Sequence, residues 1–305
     1  MEQYRQSAIR DNLELRARVI QSIRSFFIEQ GYLEVETPVR IPAPAPEAHI
    51  DAEACGDWFL QASPELCMKR LLAAEFKKIF QICKCFRKKE RGSRHLPELT
   101  LLEWYHVEQD YQALMLQCEQ LVRFVLKALN FGESIIYQGT KIDFKTPWRK
   151  LSVRQAFNTY ASTTINDALK NDRFDEVMVE EIEPHLGFHP IFLYDYPASR
   201  GALARLKPDD SDLAERFELY IGGLELCNGF SELTDPEEQR ARFEKERNFR
   251  KTTGNIVYPM PENFLRALAG LPDAAGNALG IDRLVMLFAD ANAIDDVVSF
   301  TPEEL

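Results

Sequence analysis

The sequence predicts an α+β fold, with strands in the middle and at the end of the chain and helices around them. Four segments have the composition and alternation expected of strands, namely residues 79–86, 100–107, 215–221 and 224–232. Helical patterns lie before, between and after these strands. No internal repeat, low-complexity segment or linker divides the chain, so we expect one domain over residues 1–305.

The first helix is predicted to begin at the capping box Asp11-x-x-Glu14 and to end at Gly31. Apolar residues at every fourth position give this helix one buried stripe, formed by Leu15, Val19, Ile23 and Phe27. A short strand is expected over residues 32–36. Ser63-Pro64-Glu65 predicts the start of a second helix, because serine is a good N-cap, proline suits the first helical position and an acid suits the first turn.

The later elements follow from the same criteria. Gly222-Gly223 is a two-residue turn that joins two of the predicted strands into a hairpin. A glycine-containing strand that continues into a helix is expected from Gly276 to Ala289, and a less regular α/β stretch from residue 150 to 205. The other helices are predicted over residues 111–129, 236–251 and 262–269.

The composition is that of an ordinary globular protein of 305 residues, with 45% hydrophobic and 28% charged residues. The sequence has neither a signal-peptide pattern nor an apolar run close to the roughly 18 residues of a membrane helix, so a cytoplasmic protein without membrane binding is expected. The six cysteines are scattered without a CxxC pair, which favours reduced thiols. A net charge of −11 argues against a general nucleic-acid binder.

The charges are unevenly distributed along the chain. Residues 69–94 contain ten lysines and arginines against two acids, and residues 209–238 contain ten acids against one base. A solvated charged face is the ordinary explanation for such a run. A phosphate-facing wall opposite a cation-binding wall is the functional alternative.

The predicted hairpin places two carboxylates close together. If Tyr220 pairs with Glu225 and Glu218 with Cys227, Glu218 and Glu225 are diagonal neighbours on one face. Two such acids repel each other unless a cation lies between them, and their oxygens suit Mg²⁺ together with phosphate oxygens and water. Two solvated acids are the alternative interpretation.

A second set of polar residues follows on the same strand. Asn228, Phe230 and Glu232 share a face by alternation, although not the face of Glu225. A bulge at Gly229 would bring both sets to one pocket. Otherwise Phe230 belongs to the core and Glu232 to the surface.

Three further residues are candidates for a polar site. Glu103 and Tyr105 share a face with apolar residues, so they are either buried with partners or lie on an edge strand with Glu103 in solvent. Arg283, at a strand–helix junction, suits a phosphate or a stacked base, or else forms a surface pair with Asp282. No phosphate-binding GxxxxGK[ST] or GxGxxG motif and no acyl-transfer GxSxG motif occurs.

Together these segments resemble the three signature motifs of the class II aminoacyl-tRNA synthetases, in order and with suitable spacing. Gly31–Pro38 resembles motif 1, Phe86–Thr100 motif 2 and Gly280–Arg283 motif 3, with Leu102–Tyr105 and Glu225–Glu232 as further matches. The resemblance covers roughly residues 12 to 300. It implies a catalytic domain built on a six-stranded antiparallel sheet flanked by helices, and a homodimer.

Within this class the pocket is similar to the lysyl branch, and it is most similar to the short paralogues that attach (R)-β-lysine to a lysine of elongation factor P. The chain begins close to motif 1, so no anticodon-reading OB-fold and no stable tRNA binding are expected. Ala278 stands where tRNA-charging relatives usually have glycine. The resemblance implies an enzyme that uses ATP to form an aminoacyl-adenylate of (R)-β-lysine or lysine and transfers it to the protein lysine.

The resemblance also implies residue roles. The amino-acid pocket is expected to contain Ser63, Pro64, Glu65, Glu103, Tyr105, Asn228, Phe230, Glu232 and Ala278. ATP is expected to contact Arg87, Lys88, Lys89, Glu90, His95, Leu96, Leu99, Glu225, Leu226, Gly280 and Arg283. Arg87 and Arg283 are the expected catalytic residues, and Glu218 and Glu225 the expected Mg²⁺ ligands.

Motif 2 departs from the family pattern. Lys89 replaces an acid that contacts the adenine edge in many relatives, Leu96 replaces an asparagine, and Leu99 replaces a phenylalanine that stacks on adenine. Glu90 is a candidate to substitute for the lost acid. Two alternative functions remain at this stage, a truncated lysyl-tRNA synthetase that charges tRNA and a non-catalytic regulatory paralogue.

Overall fold

The computed structural model describes residues 4–145 and 147–305. Its α-helices are α1 (Arg5–Ala8), α2 (Arg10–Glu29), α3 (Glu65–Leu72), α4 (Tyr111–Ala128), α5 (Val153–Tyr160), α6 (Ile165–Lys170), α7 (Phe174–Val177), α8 (Pro236–Thr252), α9 (Glu262–Leu268) and α10 (Ile281–Phe288). A π-helical turn occupies Met178–Ile182, and 3₁₀ turns occupy Glu183–His185, Ala198–Arg200, Ile294–Val297 and Pro302–Glu304.

The strands form one large sheet and two small ones. They are β1 (Leu33–Glu34), β2 (Arg40–Ile41), β3 (Ala54–Cys55), β4 (Trp58–Leu60), β5 (Lys78–Phe86), β6 (Glu98–Val107), β7 (Ser134–Tyr137), β8 (Thr140–Asp143), β9 (Arg149–Ser152), β10 (Ile191–Pro197), β11 (Leu213–Ile221), β12 (Leu224–Ser231) and β13 (Ala274–Gly280). The large sheet has the order β1-β5-β6-β13-β12-β11-β10-β9, and the small sheets are β2-β4-β3 and β7-β8.

The predicted six-stranded antiparallel sheet is the centre of this larger sheet. The run from β5 to β10 is antiparallel throughout, and the short strands β1 and β9 pair in parallel at its two edges. The α+β fold class is therefore confirmed, with two edge strands more than expected.

Alternation along the central strands gives the sheet two different faces. Trp104 packs with α2, α4 and α10 in the main apolar core, which includes the predicted stripe residues Val19, Ile23 and Phe27. Its neighbour Tyr105 points to the opposite face and packs with residues of α3, α8 and α9. A third apolar cluster lies between α5–α7 and the β10 side of the sheet. The face that carries Tyr105 also carries the polar cavity described below.

Most predicted elements are confirmed with small shifts, but the predicted capping box is wrong. Helix α2 begins at Arg10 after Ile9, without a side-chain cap, and Glu14 instead pairs with Arg10 at 2.9 Å. The strand expected over residues 32–36 is reduced to Leu33–Glu34. In the described ranges 4–145 and 147–305, no helix has both the length and the apolar character needed to cross a membrane.

Candidate active site

A cavity of about 240 Å³ lies on the polar face of the central strands. Its wall is formed by alternate residues of β6, by β11–β13, by the starts of α3 and α10, by the motif 2 loop after β5, and by the loops at residues 47–50 and 201–203. The predicted site residues that line it are Ser63, Glu65, Arg87, Glu90, His95, Leu96, Leu99, Glu103, Tyr105, Glu225, Leu226, Asn228, Phe230, Ala278, Gly280 and Arg283. Pro64, Lys88, Lys89, Glu218 and Glu232 are not part of its lining.

Glu103 is buried at the inner wall and has two hydroxyl partners. Ser63 Oγ donates a hydrogen bond to one carboxylate oxygen at 2.6 Å, and Tyr105 OH donates to the other at 3.0 Å. Ser63 Oγ also accepts the backbone N–H of Glu65 at 3.0 Å, which fixes it at the start of α3. Burial, together with the nearby charge of Glu65, raises the pKa of Glu103 to about 7. The edge-strand alternative for Glu103 is therefore wrong.

Lys69 is the main feature of this region that sequence reasoning missed. It lies one helical turn after Glu65 on α3, is completely buried, and pairs with Glu65 at 2.5 Å and with Glu232. Burial lowers its pKa, but the two carboxylates raise it by more, so the amine is held in its charged form. Burial raises the pKa of Glu232 to about 8, against the opposing effect of Lys69. Glu65 and Glu232 thus already share one internal cation, and with both ionised the trio has a formal charge of −1.

The hairpin register differs from the predicted one in a way that forms the site. Tyr220 pairs with Glu225 as expected, but Leu219 pairs with Cys227 and Glu218 with Asn228. Leu226 is the extra residue between these pairs, so the bulge is at Leu226 and not at Gly229.

The bulge brings Glu225 and Asn228 to the same face, where both line the cavity with Phe230. Gly229 has a different role from the predicted one, because a Cβ there would lie 2.7 Å from the ring of Phe217. The convergence that the sequence left open is therefore found for Glu225, Asn228 and Phe230, through a different residue, whereas Glu232 is buried but does not line the cavity.

Glu218 lies outside the cavity lining, and its carboxylate accepts three hydrogen bonds. Arg216 donates to one carboxylate oxygen at 2.7 Å, and Tyr196 and Tyr220 donate to the other at 2.6 and 2.8 Å. Arg216 also donates to Asn228 Oδ1 at 3.1 Å and lines the cavity. Arg216 is therefore the link between this acid and the amide of Asn228, which lines the cavity.

Glu225 lies at the front of the same group of acids. Its carboxylate is 3.5 Å from Arg283 Nη1, and burial and the charge of Glu218 raise its pKa. Glu183, which was not predicted, belongs to the same group, because burial and the charges of Glu225 and Glu218 raise its pKa to about 7. The region therefore has an excess of negative charge that Arg216 and Arg283 only partly offset.

Arg283 is held at the strand–helix junction by a buried network. Asp282 accepts from Arg16 at 2.6 Å and from the backbone N–H of Thr100 at 2.8 Å, so it is not the surface pair considered above. Arg283 then donates to the carbonyl of Glu225 at 2.8 Å and lies 2.6 Å from His95 Nε2. Burial and the charge of Arg283 lower the pKa of His95, which favours a neutral imidazole that accepts this hydrogen bond.

Arg87 and the motif 2 loop form the part of the cavity wall next to Arg283. Arg87 Nη1 lies 3.9 Å from Glu90, and both residues line the cavity. Lys88 and Lys89 point away from it, toward Glu53 at 3.7 Å and Asp51 at 3.4 Å. Their predicted contact with ATP has no support in this arrangement, whereas Glu90 does take the place on the cavity wall that Lys89 leaves.

The basic run at residues 69–94 does not form one continuous wall. Lys69 is inside the protein, and several others are paired with acids at the surface: Lys84 with Glu98, Lys88 with Glu53, Lys89 with Asp51, and Arg91 with Asp295 and Glu303. Arg87 and Arg94 are the members of the run that line the cavity. The phosphate-facing wall is therefore much smaller than the sequence suggested.

Glu218 and Glu225 are the carboxylates predicted to bind Mg²⁺, and they differ in how many hydrogen bonds they already accept. The carboxylate of Glu225 accepts no hydrogen bond from another described residue, and that of Glu218 accepts three of the roughly four that a carboxylate allows. Within residues 4–145 and 147–305, no cluster of three or more potential ligands forms a complete metal site. The usual protein Mg²⁺ site has one or two carboxylates and is completed by substrate phosphates and water, and the assignment of Glu218 and Glu225 stays a prediction.

A comparison with protein families decides the classification. The family described as tRNA synthetases class II (D, K and N) matches residues 1–304. The chain belongs to the class II aminoacyl-tRNA synthetases. In this class II chain, the segments that resemble the signature motifs supply Arg87 from motif 2 and Arg283 from motif 3 to one cavity.

Curated proteins of nearly the same length show which members of class II this chain is similar to. The elongation factor P–(R)-β-lysine ligase of Proteus mirabilis (strain HI4320) is 38% identical over 310 residues, which cover 95% of this chain and 94% of that protein. The ligases of Salmonella dublin and Salmonella paratyphi B are 40% and 39% identical over 316 residues, covering 97% of this chain and 96% of each relative. The similarity therefore extends over the whole catalytic fold and is not limited to the motifs.

Proposed function

We propose that the chain activates (R)-β-lysine or lysine with ATP and transfers the aminoacyl group to the ε-amine of a lysine on elongation factor P. The observation that carries this proposal is the match to curated ligases of that name over about the full length of both chains. The cavity supports it, because it combines acids that suit ammonium groups with arginines that suit phosphate.

The first step is attack of the amino-acid carboxylate on the α-phosphorus of ATP, with pyrophosphate as the leaving group. No enzyme nucleophile is needed, so the protein contributes positioning and charge neutralisation. Arg87 and Arg283, which both line the cavity, are the proposed cations for this step. Glu218 and Glu225 would hold Mg²⁺, which when bound offsets the phosphate charge.

In the second step the neutral ε-amine of the acceptor lysine attacks the adenylate carbonyl, an amide bond forms and AMP leaves. The proposed distal ammonium site is the buried end of the cavity. There Glu103 and Tyr105 lie against the trio of Glu65, Lys69 and Glu232. Its excess negative charge favours a second, incoming ammonium over a carboxylate side chain.

We propose that this enzyme works in the cytoplasm as a homodimer. The support for a dimer is two exposed apolar side chains, Leu33 of motif 1 at 50% and Ile28 at the end of the preceding helix α2 at 61%. Analytical ultracentrifugation tests this, and a monomer at micromolar concentration would contradict it.

The function is tested by amino-acid-dependent ATP–pyrophosphate exchange followed by an acceptor assay. Exchange should be fastest with (R)-β-lysine, then lysine, with little from aspartate or asparagine. With purified elongation factor P, intact mass should rise by one lysyl residue on a single lysine. Total tRNA in a parallel reaction should remain uncharged.

Each alternative function has its own outcome in these assays. Efficient tRNA charging with an unmodified factor would support a minimal lysyl-tRNA synthetase instead. Absence of exchange with every amino acid would support a non-catalytic paralogue. Faster exchange with aspartate than with either lysine would contradict the proposed pocket.

A further inference from the structure

Glu47 is an acidic residue of the cavity wall to which neither the sequence motifs nor the comparisons assign a role. It lies in the loop between β2 and β3 and is half-buried. Its side chain forms no hydrogen bond or ion pair with another residue in the described part of the chain. Glu65 and Glu103, by contrast, each have direct partners in the same cavity.

The backbone that carries Glu47 is fixed by a buried arginine. Arg250 of α8 is fully buried and donates to the carbonyls of Glu47, Ala48 and Ile50, at 2.8, 3.3 and 3.2 Å. It also pairs with Asp51 at 2.6 Å. In addition, Glu246 accepts the backbone N–H of Ala48 at 2.9 Å. The buried Arg250 therefore holds the loop that carries Glu47. The carboxylate of Glu47 lines the cavity but has no hydrogen-bond or ion-pair partner among residues 4–145 and 147–305.

The charges around Glu47 indicate which kind of ligand its carboxylate suits. Glu65 on α3 and Glu246 on α8 disfavour its ionised form, while Arg87 at the end of β5 and Arg216 on β11 favour it. The balance, dominated by burial, raises the pKa of Glu47 to about 7. The protein thus supplies less positive charge than the carboxylate needs, and a cationic ligand in the cavity would supply the rest.

The position of Glu47 distinguishes between the two ammonium groups of the proposed substrates. Glu103 and Tyr105 line the closed inner end of the cavity and Glu232 lies outside its lining, and all three are at most 3% exposed. Glu47 lies among charges of both signs, because among its charged neighbours Glu65 has the largest effect on its carboxylate and Arg87 and Arg216 the next largest, so it is on the wall between Glu65 and Arg87. A substrate with its distal amine at the inner end and its carboxylate toward Arg87 places its other amine beside Glu47.

We propose that Glu47 binds the ammonium group nearest the reacting carboxylate, the α-ammonium of lysine or the β-ammonium of β-lysine, and so selects diamino acids over ω-amino acids. This inference rests on the proposed function. Glu47 would thus recognise the proximal amine, whereas other acids of the cavity face the distal amine. Arg250 is the corresponding positioning residue.

The test compares lysine with 6-aminohexanoate, which keeps the carboxylate and the distal amine but lacks the proximal one. Pyrophosphate exchange and calorimetric binding are measured for the unmodified enzyme and for Glu47→Gln. We expect the substitution to raise the KM and Kd of lysine and β-lysine by tenfold or more, as for a lost hydrogen bond to a charged group. The values for 6-aminohexanoate should change by less than about twofold.

Glu133→Gln serves as the control, because it removes the same charge from an exposed position outside the cavity and should leave all values unchanged. Thermal melts check that Glu47→Gln folds. An equal change for lysine and 6-aminohexanoate, or no change for either, would overturn the role of Glu47. Absence of lysine-dependent exchange in the unmodified enzyme would overturn the proposed function itself, and is seen before any variant is compared.

Discussion

Glu103 and Glu232 lie in environments that disfavour their ionised forms. Burial raises the pKa of Glu103 to about 7 and that of Glu232 to about 8, although each has polar partners. An acid whose pKa is raised in the folded state is protonated on folding at intermediate pH, and its ionised form opposes folding. Such residues are typical of binding sites, where stability is lower so that a charged ligand can bind.

Glu103→Gln tests this at the level of one residue. The contribution of Glu103 to stability is present below its unfolded pKa of 4.5 and is lost as pH rises to about 7. Glutamine does not ionise and can still accept from Ser63 or Tyr105. We therefore expect the variant to gain stability relative to the unmodified enzyme between pH 5 and pH 8, in thermal melts, and to lose lysine-dependent exchange. A constant difference across that range would show that Glu103 is not the titrating group.

Glu225→Gln should strongly reduce adenylate formation while leaving the fold intact. Its pKa is raised, so loss of the charge relieves repulsion with Glu218 in the unliganded protein. In the complex, loss of one proposed Mg²⁺ ligand leaves phosphate charge uncompensated. By analogy with other electrostatic stabilisers, the activation free energy should rise by about 2–4 kcal/mol. The exchange rate is measured across a Mg²⁺ titration. A normal rate and Mg²⁺ dependence would exclude Glu225 from the metal site, and exposed Glu237→Gln is the control.

At the level of elements, the hairpin shows how far the sequence could predict the site. Its turn and first pairs follow from Gly222-Gly223 and from local alternation, and both are confirmed. The bulge at Leu226 has no local signal, because Leu226 is apolar and fits a regular strand equally well. Its position is set by β13 and β11 pairing on either side of β12. The residues that belong to the site could therefore be predicted. The strand register that brings Glu225 to the same face as Asn228 could not.

Strand β13 contributes to the site by lacking a side chain at one position. Gly276 is opposite Tyr105, and a Cβ there would lie 2.2 Å from the tyrosine ring and 2.5 Å from Glu232 Oε1. Gly276→Ala should therefore displace Tyr105, lower stability by about 1–3 kcal/mol as for overpacked cores, and raise the KM for lysine. Urea unfolding and exchange kinetics measure the two effects.

Gly270→Ala is a matched control for this substitution, because the nearest atom to its added Cβ would be 3.6 Å away, an ordinary contact. It should change neither quantity appreciably. If Gly276→Ala is equally well tolerated, the close packing of Tyr105 on β13 is not what holds its hydroxyl on Glu103.

At the scale of the whole molecule, the residues that sequence reasoning missed depend on long-range partners. Lys69 is neutralised partly by Glu232, and Arg250 holds a loop about 200 residues earlier in the chain. Read singly, each is an ordinary helical base, and no local pattern shows that it is buried. Only the fold brings these partners together. The motifs therefore predict the residues that line the cavity but not the buried residues that hold them in place.

The C-terminal segment supports the motif 2 loop in the same way. Arg91 donates to both carboxylate oxygens of Asp295 and to both of Glu303, at 2.9–3.1 Å. The backbone N–H of Ile294 donates to the carbonyl of Ser93 at 2.8 Å. The loop that presents Glu90 and His95 to the cavity is therefore held at its outer side by residues near the end of the chain.

Arg91→Ala should loosen this loop without touching the cavity, because Arg91 is not part of the cavity lining. Arg91 also lowers the pKa of Glu303 to about 2, so the ion pair is present at neutral pH and is lost only as pH falls toward that value. We expect the KM for ATP to rise severalfold and the KM for lysine to stay constant, since the amino-acid end of the cavity is formed by other elements. Exchange kinetics at saturating lysine and at saturating ATP separate the two constants.

Arg10→Ala, which removes an exposed arginine paired with Glu14 outside the cavity, is the control. If the KM for lysine rises as much as that for ATP, the C-terminal segment stabilises the whole site and not the nucleotide loop alone.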